Sequence, residues 1–518
     1  MRLADYFDAA ATRSADHLAF IDGQTQLRFD EARQIVHATA HALRDNTSLP
    51  TGAHIAIYAP NDYRVTLLQL AVNRADMAWV AVHTRNIVQA NATTLAYADC
   101  HLIFFHSSFE EALPELKAAL PQVSCFVCID KPSQHAVFLD DWIAPYLFER
   151  FDAAPEHDDA IALLQATGGT TGPSKAAVHT NRSLEMALVS TFDTLRVDQH
   201  SRVLAVAPLT HAAGLLSLAA AIRGGVSVVL SSFDMRTVLA CIEQHRITHV
   251  FLPPTIVYML LNEPDLADYD LSSLRCLAVG GAPIAPEKLK EAVRRIGPVV
   301  YEVFGQSECL LPLIVKRPED YLHADGSFDE AALRSAGRGV PYARVEIMDE
   351  EGNLVAPGEK GEIVVRSTMV MQGYYKLPEE TAQVSTFGWH HTTDVGIQDE
   401  RGFITIVDRK KDMIVSGGFN LFPAEIEAVL NSHPAVLDCA VIGVPDEKWG
   451  EAVKAVVQLK PGQVVEADEL VALCKQHLGG MKTPKSVEFW PQLPRSAVGK
   501  LLKREIRAKY WDGNWRQV

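Results

Sequence analysis

The chain has 518 residues, a length that predicts roughly three compact units. Of these residues 48% are apolar and 22% charged, a composition that excludes a disordered, fibrous or membrane-embedded protein. Its 48 Lys and Arg residues against 64 Asp and Glu give a formal net charge of −16. This balance argues against nucleic acid as the main partner, because phosphate neutralisation needs a basic excess.

The N-terminus and the cysteines indicate where such a protein works. The segment MRLADYFDAAATRSADH carries acidic residues where a signal peptide needs a basic start and an apolar core. The longest apolar region, Val203 to Ala221, contains Pro208 and His211, and we interpret it as buried core rather than a membrane span. The close pair Cys125 and Cys128 has no second CxxC or CxxH nearby, which argues against zinc. We expect a reducing cytoplasm.

Up to about residue 400, short apolar runs alternate with amphipathic helical patterns, as successive βα units require in a mostly parallel sheet. We therefore expect a large α/β region with doubly wound sheets. The apolar runs are HIAIYA (54–59), AIALLQAT (160–167), RVLAVAP (202–208), THVFLPP (248–254) and LRCLAVGG (274–281).

The pattern then changes twice. Close-spaced turns and short strands over 337–407 predict a β-rich lobe built from hairpins. After the charged run DRKKD, the helix PAEIEAVLNSH, two strands and the helix ADELVALCKQHL predict a smaller α+β domain. We divide the chain into an N-terminal domain, 1–410, and a C-terminal domain, 411–518, joined by a hinge at DRKKD.

A loop rich in glycine and threonine follows the strand IALLQA directly. Its glycines let backbone N–H groups turn inward, its threonines add hydroxyl donors and its lysine adds charge, a combination that suits a triphosphate. The order of residues does not fit a Walker A loop. The loop consists of Thr167, Gly168, Gly169, Thr170, Thr171, Gly172, Pro173, Ser174 and Lys175.

This loop resembles the phosphate-binding signature of the adenylate-forming enzymes, which include acyl- and aryl-CoA synthetases, peptide-synthetase adenylation domains and firefly luciferase. Gly168 stands where that family more often has serine. Further similar motifs follow in the family's order and cover nearly the whole chain. They are APLTHAAG (207–214), VGGAP (279–283), VFGQSE (303–308), GEIVV (361–365), TTD (392–394), DRKKDMIVSGG (408–418), FPAEIE (422–427) and LPRSAVGK (493–500).

The resemblance implies an adenine site whose residue types suit the ligand. Small residues after a strand let a flat ring approach the backbone, and an aromatic side chain offers a face for stacking. The expected contacts in this part of the nucleotide site are Gly281, Ala282, Pro283, Glu302, Phe304 and Gly305.

The resemblance also implies contacts to phosphate, metal and ribose. Glu308 offers a hard carboxylate oxygen to Mg²⁺, and the Ser307 hydroxyl can bond the α-phosphate or the substrate carboxylate. Asp394 suits the ribose hydroxyls as an acceptor, and Arg409 can donate from the hinge side. The family usually has glycine where Thr393 stands.

Lys500, in the last motif, is by resemblance the lysine that bridges carboxylate and phosphate oxygens during adenylation. Two anions must meet in this step, and a cation offsets their repulsion. Thr167 and His211 are further candidate catalytic residues. By resemblance the C-terminal domain pivots at Lys411, two positions after Arg409, because two half-reactions need different groups at one site.

Acid choice is read from the region around His211. Peptide-synthetase domains carry an aspartate here for the substrate ammonium, whereas LTHAAGLLSL has no carboxylate, so an amino acid is disfavoured. By resemblance His211 is a gate beside the acyl carboxylate, and Gly214 leaves room behind it. Gly280 and Leu310 complete the expected acyl pocket, which we expect to take an apolar acyl or aryl group.

Coenzyme A as the acceptor depends on fewer residues. The pair Gly417-Gly418 would let a thin pantetheine arm pass close to the backbone. Arg85, Trp449 and Lys485 match positions that hold the CoA nucleotide in aryl-CoA ligases, where stacking and phosphate pairing suit those residue types. Thr483 stands where some of these ligases have arginine.

The sequence thus predicts an ATP- and Mg²⁺-dependent carboxylic acid:CoA ligase that forms an acyl-adenylate and releases AMP and pyrophosphate. Two alternatives stay open. One is an adenylating enzyme that loads a carrier protein, and the other is a degenerate nucleotide-binding regulator, which the intact Lys175, Glu308, Asp394 and Lys500 disfavour. The oligomeric state is open, with a homodimer as one option.

Overall fold

The computed structural model describes residues 1–151, 159–167, 175–409, 412–416, 419–446, 449–495 and 501–511. These residues form two compact units. Unit 1 holds the described residues of 1–167, 175–344 and 366–385, and unit 2 holds those of 345–365 and 386–511. Lys410 and Lys411, which flank the predicted domain boundary, lie outside the described residues, so the division into 1–410 and 411–518 stays a prediction.

The strands carry most of the predicted apolar runs. In chain order they are β1 (Leu18–Asp22), β2 (Thr25–Arg28), β3 (His54–Tyr58), β4 (Ala78–Ala81), β5 (Cys100–Phe105), β6 (Cys125–Cys128), β7 (Val137–Phe138), β8 (Ile161–Ala166), β9 (Ala176–Thr180), β10 (Arg202–Ala205), β11 (Val226–Val229), β12 (His249–Leu252), β13 (Cys276–Gly280), β14 (Val300–Phe304), β15 (Ile314–Lys316), β16 (Gly337–Gly339), β17 (Arg344–Met348), β18 (Lys360–Arg366), β19 (Gly373–Tyr374), β20 (His390–Gln398), β21 (Phe403–Arg409), β22 (Ile414–Ser416), β23 (Phe419–Leu421), β24 (Val436–Asp446), β25 (Gly450–Leu459) and β26 (Ser486–Phe489).

The helices lie between them along the chain. They are α1 (Leu3–Arg13), α2 (Phe29–Asp45), α3 (Tyr63–Arg74), α4 (Val88–Tyr97), α5 (Leu113–Ala119), α6 (Leu139–Ile143), α7 (Asn181–Thr194), α8 (Ala212–Arg223), α9 (Met235–Gln244), α10 (Pro254–Leu261), α11 (Pro286–Ile296), α12 (Pro318–Tyr321), α13 (Glu330–Arg334), α14 (Pro378–Gln383), α15 (Pro423–Asn431), α16 (Ala467–Leu478) and α17 (Lys503–Ala508).

Unit 1 contains two largely parallel sheets. The first has the neighbour order β16-β15-β14-β13-β12-β10-β11-β1-β2, and the second β19-β9-β8-β4-β3-β5-β6-β7. Strands such as β3 and β4 are buried along their whole length, as expected where helices cover both faces of a parallel sheet. The expected α/β class with doubly wound sheets is confirmed.

The long apolar region, 203–221, forms β10 and most of α8. Nearly every residue of α8 is buried, and Gly224, in the left-handed conformation, ends the helix. This confirms the interpretation of the region as core. None of the helices in the described ranges is long and apolar enough to cross a membrane.

Unit 2 contains the predicted hairpin strands and the predicted α+β element pattern. One group of neighbouring strands has the order β17-β18-β20-β21, and another has the order β23-β22-β25-β24, with β26 on β25. Ile426 and Leu430 of α15 and Leu470 of α16 pack in one core with Val441 and Val453 of the long β24–β25 pair. The amphipathic patterns of PAEIEAVLNSH and ADELVALCKQHL are explained by this burial.

Candidate functional site

Three of the family-like motifs in unit 1 lie at one edge of the first sheet. Strands β10, β12, β13 and β14 are parallel neighbours, so their carboxyl ends meet at the same edge. The segments 206–211, 281–283 and 305–308 follow β10, β13 and β14 directly. In open α/β sheets this edge is where ligands bind.

The turn after β13 presents open backbone. Gly281, Ala282 and Pro283 are exposed, and Gly281 has φ 87°, a left-handed conformation that glycine adopts without steric cost. The buried Glu302 side chain lies behind this turn: its Oε1 accepts from the Ile284 N–H (3.4 Å) and its Oε2 pairs with Lys316 Nζ (2.6 Å).

Lys316 is itself almost fully buried and also donates to two backbone carbonyls. Glu302 therefore supports the turn after β13 from the protein interior, where Lys316 pairs with its carboxylate. Direct nucleotide contact by Glu302 stays a prediction.

The turn after β14 is compact for a steric reason. A Cβ added at Gly305 would lie 2.5 Å from Cβ of Leu311, so only glycine lets the chain fold back here. The Phe304 carbonyl accepts from the Leu313 N–H (2.8 Å), which closes the turn and leaves the Phe304 ring half-buried at the end of the strand. A half-exposed ring in this position suits stacking.

The base of the phosphate loop lies beside Ser307. The Thr167 N–H donates to the Lys175 carbonyl (2.8 Å) and closes the β8–β9 hairpin below the loop. Ser307 Oγ lies 3.5 Å from the Ala166 carbonyl, and His179 Nε2 donates to the Ser307 carbonyl (2.7 Å). Burial lowers the pKa of His179 to about 4, so this ring is a neutral donor.

Lys175 and Glu308 share one tyrosine. Lys175 Nζ lies 4.8 Å from the centroid of the Tyr374 ring, and the Tyr374 hydroxyl donates to Glu308 Oε1 (2.9 Å). Burial and the Glu308 charge raise the pKa of Tyr374, which keeps its proton on the hydroxyl. Unit 1 thus brings a cation and a carboxylate together at Tyr374, and the backbone of Lys175 is bonded to the buried Thr167.

His211 is held by neighbours on both ring nitrogens. Its Nε2 lies 2.6 Å from Nε2 of His83, so one ring donates to the other, and its Nδ1 lies 2.9 Å from Thr210 Oγ1. Since β4 and β8 are parallel neighbours, His83 follows β4 at the same sheet edge as Thr167 after β8. The two histidines therefore join the carboxyl edges of the two sheets.

In the structure, the glycines of the expected acyl pocket are required by close packing against neighbouring residues. A Cβ at Gly214 would lie 1.9 Å from the Leu209 carbonyl oxygen, and a Cβ at Gly280 would lie 2.9 Å from Val303. The expectation that Gly214 leaves room for an acyl group needs correction, because its free side points at backbone. Leu310 is buried. The roles of these residues in acid binding stay predictions.

In unit 2, Asp394 is buried on β20 and lies opposite Arg409 of β21 in the strand register. The preceding residue, Thr393, has φ 62°. A β-branched residue rarely adopts this left-handed conformation. The family usually has glycine where Thr393 stands, and the structure shows a backbone conformation at this position that suits glycine.

The described residues expected to bind CoA are all exposed. Arg85 lies in unit 1, and Trp449 and Lys485 lie in unit 2. Trp449 is 41% exposed, and its backbone N–H donates to Asp446 Oδ1. Thr483 is buried and donates to the Gly479 carbonyl (2.8 Å), so it acts as a helix-end cap rather than as a phosphate ligand.

Several predicted site residues have no structural test, because they lie outside the described residues. They are Gly168, Gly169, Thr170, Thr171, Gly172, Lys411, Gly417, Gly418 and Lys500.

Sequence reasoning missed His83, His179 and Tyr374. His83 had a usable signal, because it is a polar residue directly after a buried strand, in the same HTRN stretch as Arg85. Tyr374 belongs to GYY after an apolar segment and gave no chemical signal by itself. His179 lies within a buried strand and is indistinguishable from a core residue.

Comparison with known proteins agrees with this geometry. The AMP-binding enzyme family matches residues 7–375, and the AMP-binding enzyme C-terminal domain matches residues 425–500. A medium/long-chain-fatty-acid–CoA ligase of Mycobacterium tuberculosis is 40% identical over 79% of this chain and 72% of the relative, and a feruloyl-CoA synthase of Amycolatopsis is 37% identical over 81% and 86%.

A solved structure resembles the whole chain. The amide bond synthetase McbA from Marinactinospora thermotolerans superimposes with a TM-score of 0.89 at 31% identity, covering 98% of this chain and 100% of that one. The family match extends over far more than half of the 518 residues. The chain belongs to the AMP-binding enzyme family.

Proposed function

We propose that this enzyme activates a carboxylic acid with ATP and transfers the acyl group to coenzyme A. In the first step the carboxylate attacks the α-phosphorus of ATP, and pyrophosphate leaves with the acyl-adenylate remaining. In the second step the CoA thiol attacks the acyl carbon and AMP leaves. The observation that carries the proposal is the convergence of Lys175 and Glu308 on Tyr374, within a chain that matches the family over nearly its whole length.

Unit 1 supplies groups that suit the triphosphate. Lys175 offers a fixed positive charge, and the buried Thr167 and half-buried Ser307 offer hydroxyl donors. In a chain with a net charge of −16, such a local cluster is what attracts an anionic ligand. The hydrogen bond from His179 to the Ser307 carbonyl keeps Ser307 next to β9.

We propose that Mg²⁺ is the metal cofactor and that Glu308 contributes its protein ligand. In the described part of the chain no group of three or more metal-binding side chains occurs. One protein carboxylate suits Mg²⁺, since this ion is usually held by one or two carboxylates together with substrate phosphates. The Tyr374 hydroxyl occupies only Oε1 of Glu308, which leaves Oε2 as a hard oxygen. When bound, the ion would neutralise charge on the phosphates.

Unit 2 and the residues around it supply the remaining roles. Asp394 would accept from the ribose hydroxyls and Arg409 would donate to the nucleotide. Lys500 would stabilise the charge that develops when carboxylate and phosphate meet. Lys411 would act as the pivot that exchanges Lys500 for the pantetheine-side Gly417-Gly418 between the two steps.

The acid is proposed to be an apolar fatty acid or an aromatic acid. The helix α8 after His211 is apolar and without charge until its last residue, Arg223, so it offers no partner to a substrate ammonium group. The names of the relatives, a fatty-acid ligase and a feruloyl-CoA synthase, cover both acid types.

Coenzyme A is the proposed acceptor, with Arg85, Trp449 and Lys485 at its nucleotide. We also propose a cytoplasmic enzyme, because its eight cysteines are all free thiols, as a reducing compartment keeps them. Whether the enzyme is a homodimer is a separate prediction that gel filtration decides.

The test separates the two half-reactions. Lys500→Ala is expected to lower acyl-AMP formation, measured as pyrophosphate release, by about 10² to 10³. Transfer from supplied acyl-AMP to CoA should stay within about twofold, because that step no longer joins two anions. Lys475→Ala, an exposed lysine of α16, is the matched control.

The same assay tests the acceptor. Supplied acyl-AMP is offered to CoA, to a holo-carrier protein and to an amine, the last because a similar structure is an amide bond synthetase. Faster capture by CoA supports the proposal, and equal loss of both half-reactions in Lys500→Ala contradicts the role of Lys500.

A further inference from the structure

The backbone before Asp394 is held in a conformation that its own residue disfavours. Thr393 has φ 62°, and a β-branched side chain in this region is a steric outlier. Strain of this kind persists only where the surroundings enforce it, and it concentrates at functional sites. The contacts around Thr393 therefore identify the residues that hold this backbone in place before Asp394.

The strain lies in an irregular part of the β18–β20 pair. Glu362 pairs with Val395 and Val364 pairs with His391, so the three residues 392–394 of β20 face only Ile363 of β18. Thr392 fills the gap in the ladder, since its Oγ1 donates to the Ile363 carbonyl (2.7 Å) and accepts from the Asp394 N–H (3.2 Å). Such a bulge redirects a side chain out of the regular alternation.

One carboxylate holds the middle of this bulge. Glu362 Oε1 accepts from the Thr393 N–H (2.9 Å), and Oε2 accepts from Nδ1 of His391 (3.2 Å). Nε2 of His391 in turn lies 2.8 Å from Thr386 Oγ1. The Glu362 and His391 side chains are 12% and 11% exposed, so water screens these bonds only weakly.

We infer that Glu362 is a positioning residue, which holds Thr393 in its left-handed conformation so that Asp394 meets the ribose of ATP. Glu362 need not touch the nucleotide, because it acts through the backbone of Thr393. The inference rests on the proposed function, in which Asp394 accepts from the ribose hydroxyls.

Two properties make glutamate suitable for this role. Its charge strengthens both hydrogen bonds relative to neutral partners. Its two oxygens also accept from two groups of β20, the Thr393 N–H and the His391 ring, and so hold two positions of the bulge at once. A glycine at position 393 would adopt φ 62° without steric cost and would need this support much less.

The experiment compares ATP with 2′,3′-dideoxy-ATP in acyl-AMP formation by the full-length enzyme. Glu362→Ala is expected to raise the KM for ATP by about tenfold to thirtyfold and to remove most of the preference for ATP over the dideoxy analogue. The kcat should change much less. A merely structural role would lower activity with both nucleotides alike and would leave the preference intact.

A rescue variant tests the route through Thr393. In the Glu362→Ala background, Thr393→Gly is expected to restore at least half of the lost preference, on a logarithmic scale, because the strain is removed. If the double variant is no better than Glu362→Ala, the inference is overturned. Glu351→Ala, an exposed glutamate in a turn of the same unit, is the matched control and should keep the wild-type preference.

Two further variants complete the design. Glu362→Gln keeps an oxygen for the Thr393 N–H, so it should lose only part of the preference, and it carries the test if Glu362→Ala fails to fold. Asp394→Asn separates the ribose contact of Asp394 from the positioning role of Glu362. If Asp394→Asn keeps the preference, the ribose assignment fails and the inference fails with it. If Asp394→Asn loses the preference and Glu362→Ala keeps it, only the positioning role fails.

Discussion

Unit 1 and unit 2 hold their candidate site residues in different ways. In unit 1 the site segments follow the carboxyl ends of buried parallel strands, and close backbone packing fixes them, as at Gly214 and Gly305. In unit 2 Asp394 lies in a bulge between antiparallel strands, where the hydrogen bonds of Glu362 and Thr392 hold a strained backbone.

Substitutions in the two units should therefore act on different properties of the protein. A change that disturbs the packing in unit 1 acts on the folded state itself, because the site segments are part of the core. A change in the bulge of unit 2 acts on a few side-chain hydrogen bonds, each contributing about 1 to 3 kcal/mol. Substitutions in unit 1 should therefore separate into those that alter chemistry and those that alter stability, whereas substitutions in the bulge should alter nucleotide binding.

The largest effect is expected for Glu308→Gln. The amide oxygen can still accept from the Tyr374 hydroxyl, so the fold of unit 1 should not change. Loss of the charge should lower acyl-AMP formation by about 10² to 10³ and raise the Mg²⁺ concentration needed for half-maximal rate.

Pyrophosphate release is measured across a Mg²⁺ titration together with thermal unfolding. Glu319→Gln, an exposed glutamate of the same unit that pairs with Arg196, is the control. An unchanged Mg²⁺ dependence would contradict the assignment of Glu308, and a large fall in unfolding temperature would show that its charge serves the core.

The next effect concerns stability. A Cβ at position 214 would lie 1.9 Å from the Leu209 carbonyl oxygen, so Gly214→Ala should destabilise unit 1 by about 3 kcal/mol, although alanine normally stabilises a helix relative to glycine. Gly480→Ala in unit 2, where a Cβ meets nothing within 4 Å, is the matched control. Thermal unfolding decides. If Gly214→Ala is as stable as the control, backbone packing does not fix this segment.

Sequence alone predicted the α/β sheets, the hairpin strands and the helices of the C-terminal region, because each follows from a local period of apolar residues. It also predicted that Ser307 and Glu308 lie near the phosphate loop, through the resemblance to a family. It could not predict that Gly214 points at backbone, since an absent side chain leaves no direction in the sequence.

The sequence also could not predict contacts between distant segments. Tyr374 meets Glu308 across 66 positions and His83 meets His211 across 128. No periodicity links such positions, and the polar character of a single residue does not identify its partner. The left-handed backbone of Thr393 was not predicted either, although the departure from the family's usual glycine was visible in the motif itself.

A further prediction separates the units by pH. Burial lowers the pKa of His179 and of His249 to about 4, and both lie in unit 1. Each ring is neutral in the folded state and would bind a proton on unfolding below about pH 6.5, so the stability it contributes is complete above that pH and is lost as pH falls towards 4. For each ring, the free energy of unfolding of unit 1 should fall by about 2 kcal/mol between pH 7 and pH 5.

The stability of unit 2 depends on pH over a different range. Hydrogen bonds from Trp490 and Tyr510 lower the pKa of Glu488 to about 2, so its contribution is present above about pH 4.5 and is lost only below it. Hydrogen-exchange protection at pH 7 and pH 5, corrected for intrinsic exchange, should fall in β9 and β12 of unit 1. In His179→Gln the fall around β9 should be smaller. An equal fall with and without His179 would contradict this cause.

The smallest effect is expected at the histidine pair, which tests whether packing alone fixes the site in unit 1. His83 Nε2 and His211 Nε2 are 2.6 Å apart, so His83 sets the orientation of the His211 ring from the second sheet. His83→Ala should raise the KM for the acid by about threefold to tenfold, the scale of one hydrogen bond, and leave the KM for ATP unchanged.

His83→Gln keeps a polar partner and should recover part of the loss, while His200→Ala, an exposed histidine of the same unit, should behave as wild type. Initial rates over a matrix of acid and ATP concentrations decide the matter. If His83→Ala leaves acid binding unchanged, the ring of His211 is held by the backbone after β10 alone, and the side-chain support seen in unit 2 has no counterpart in unit 1.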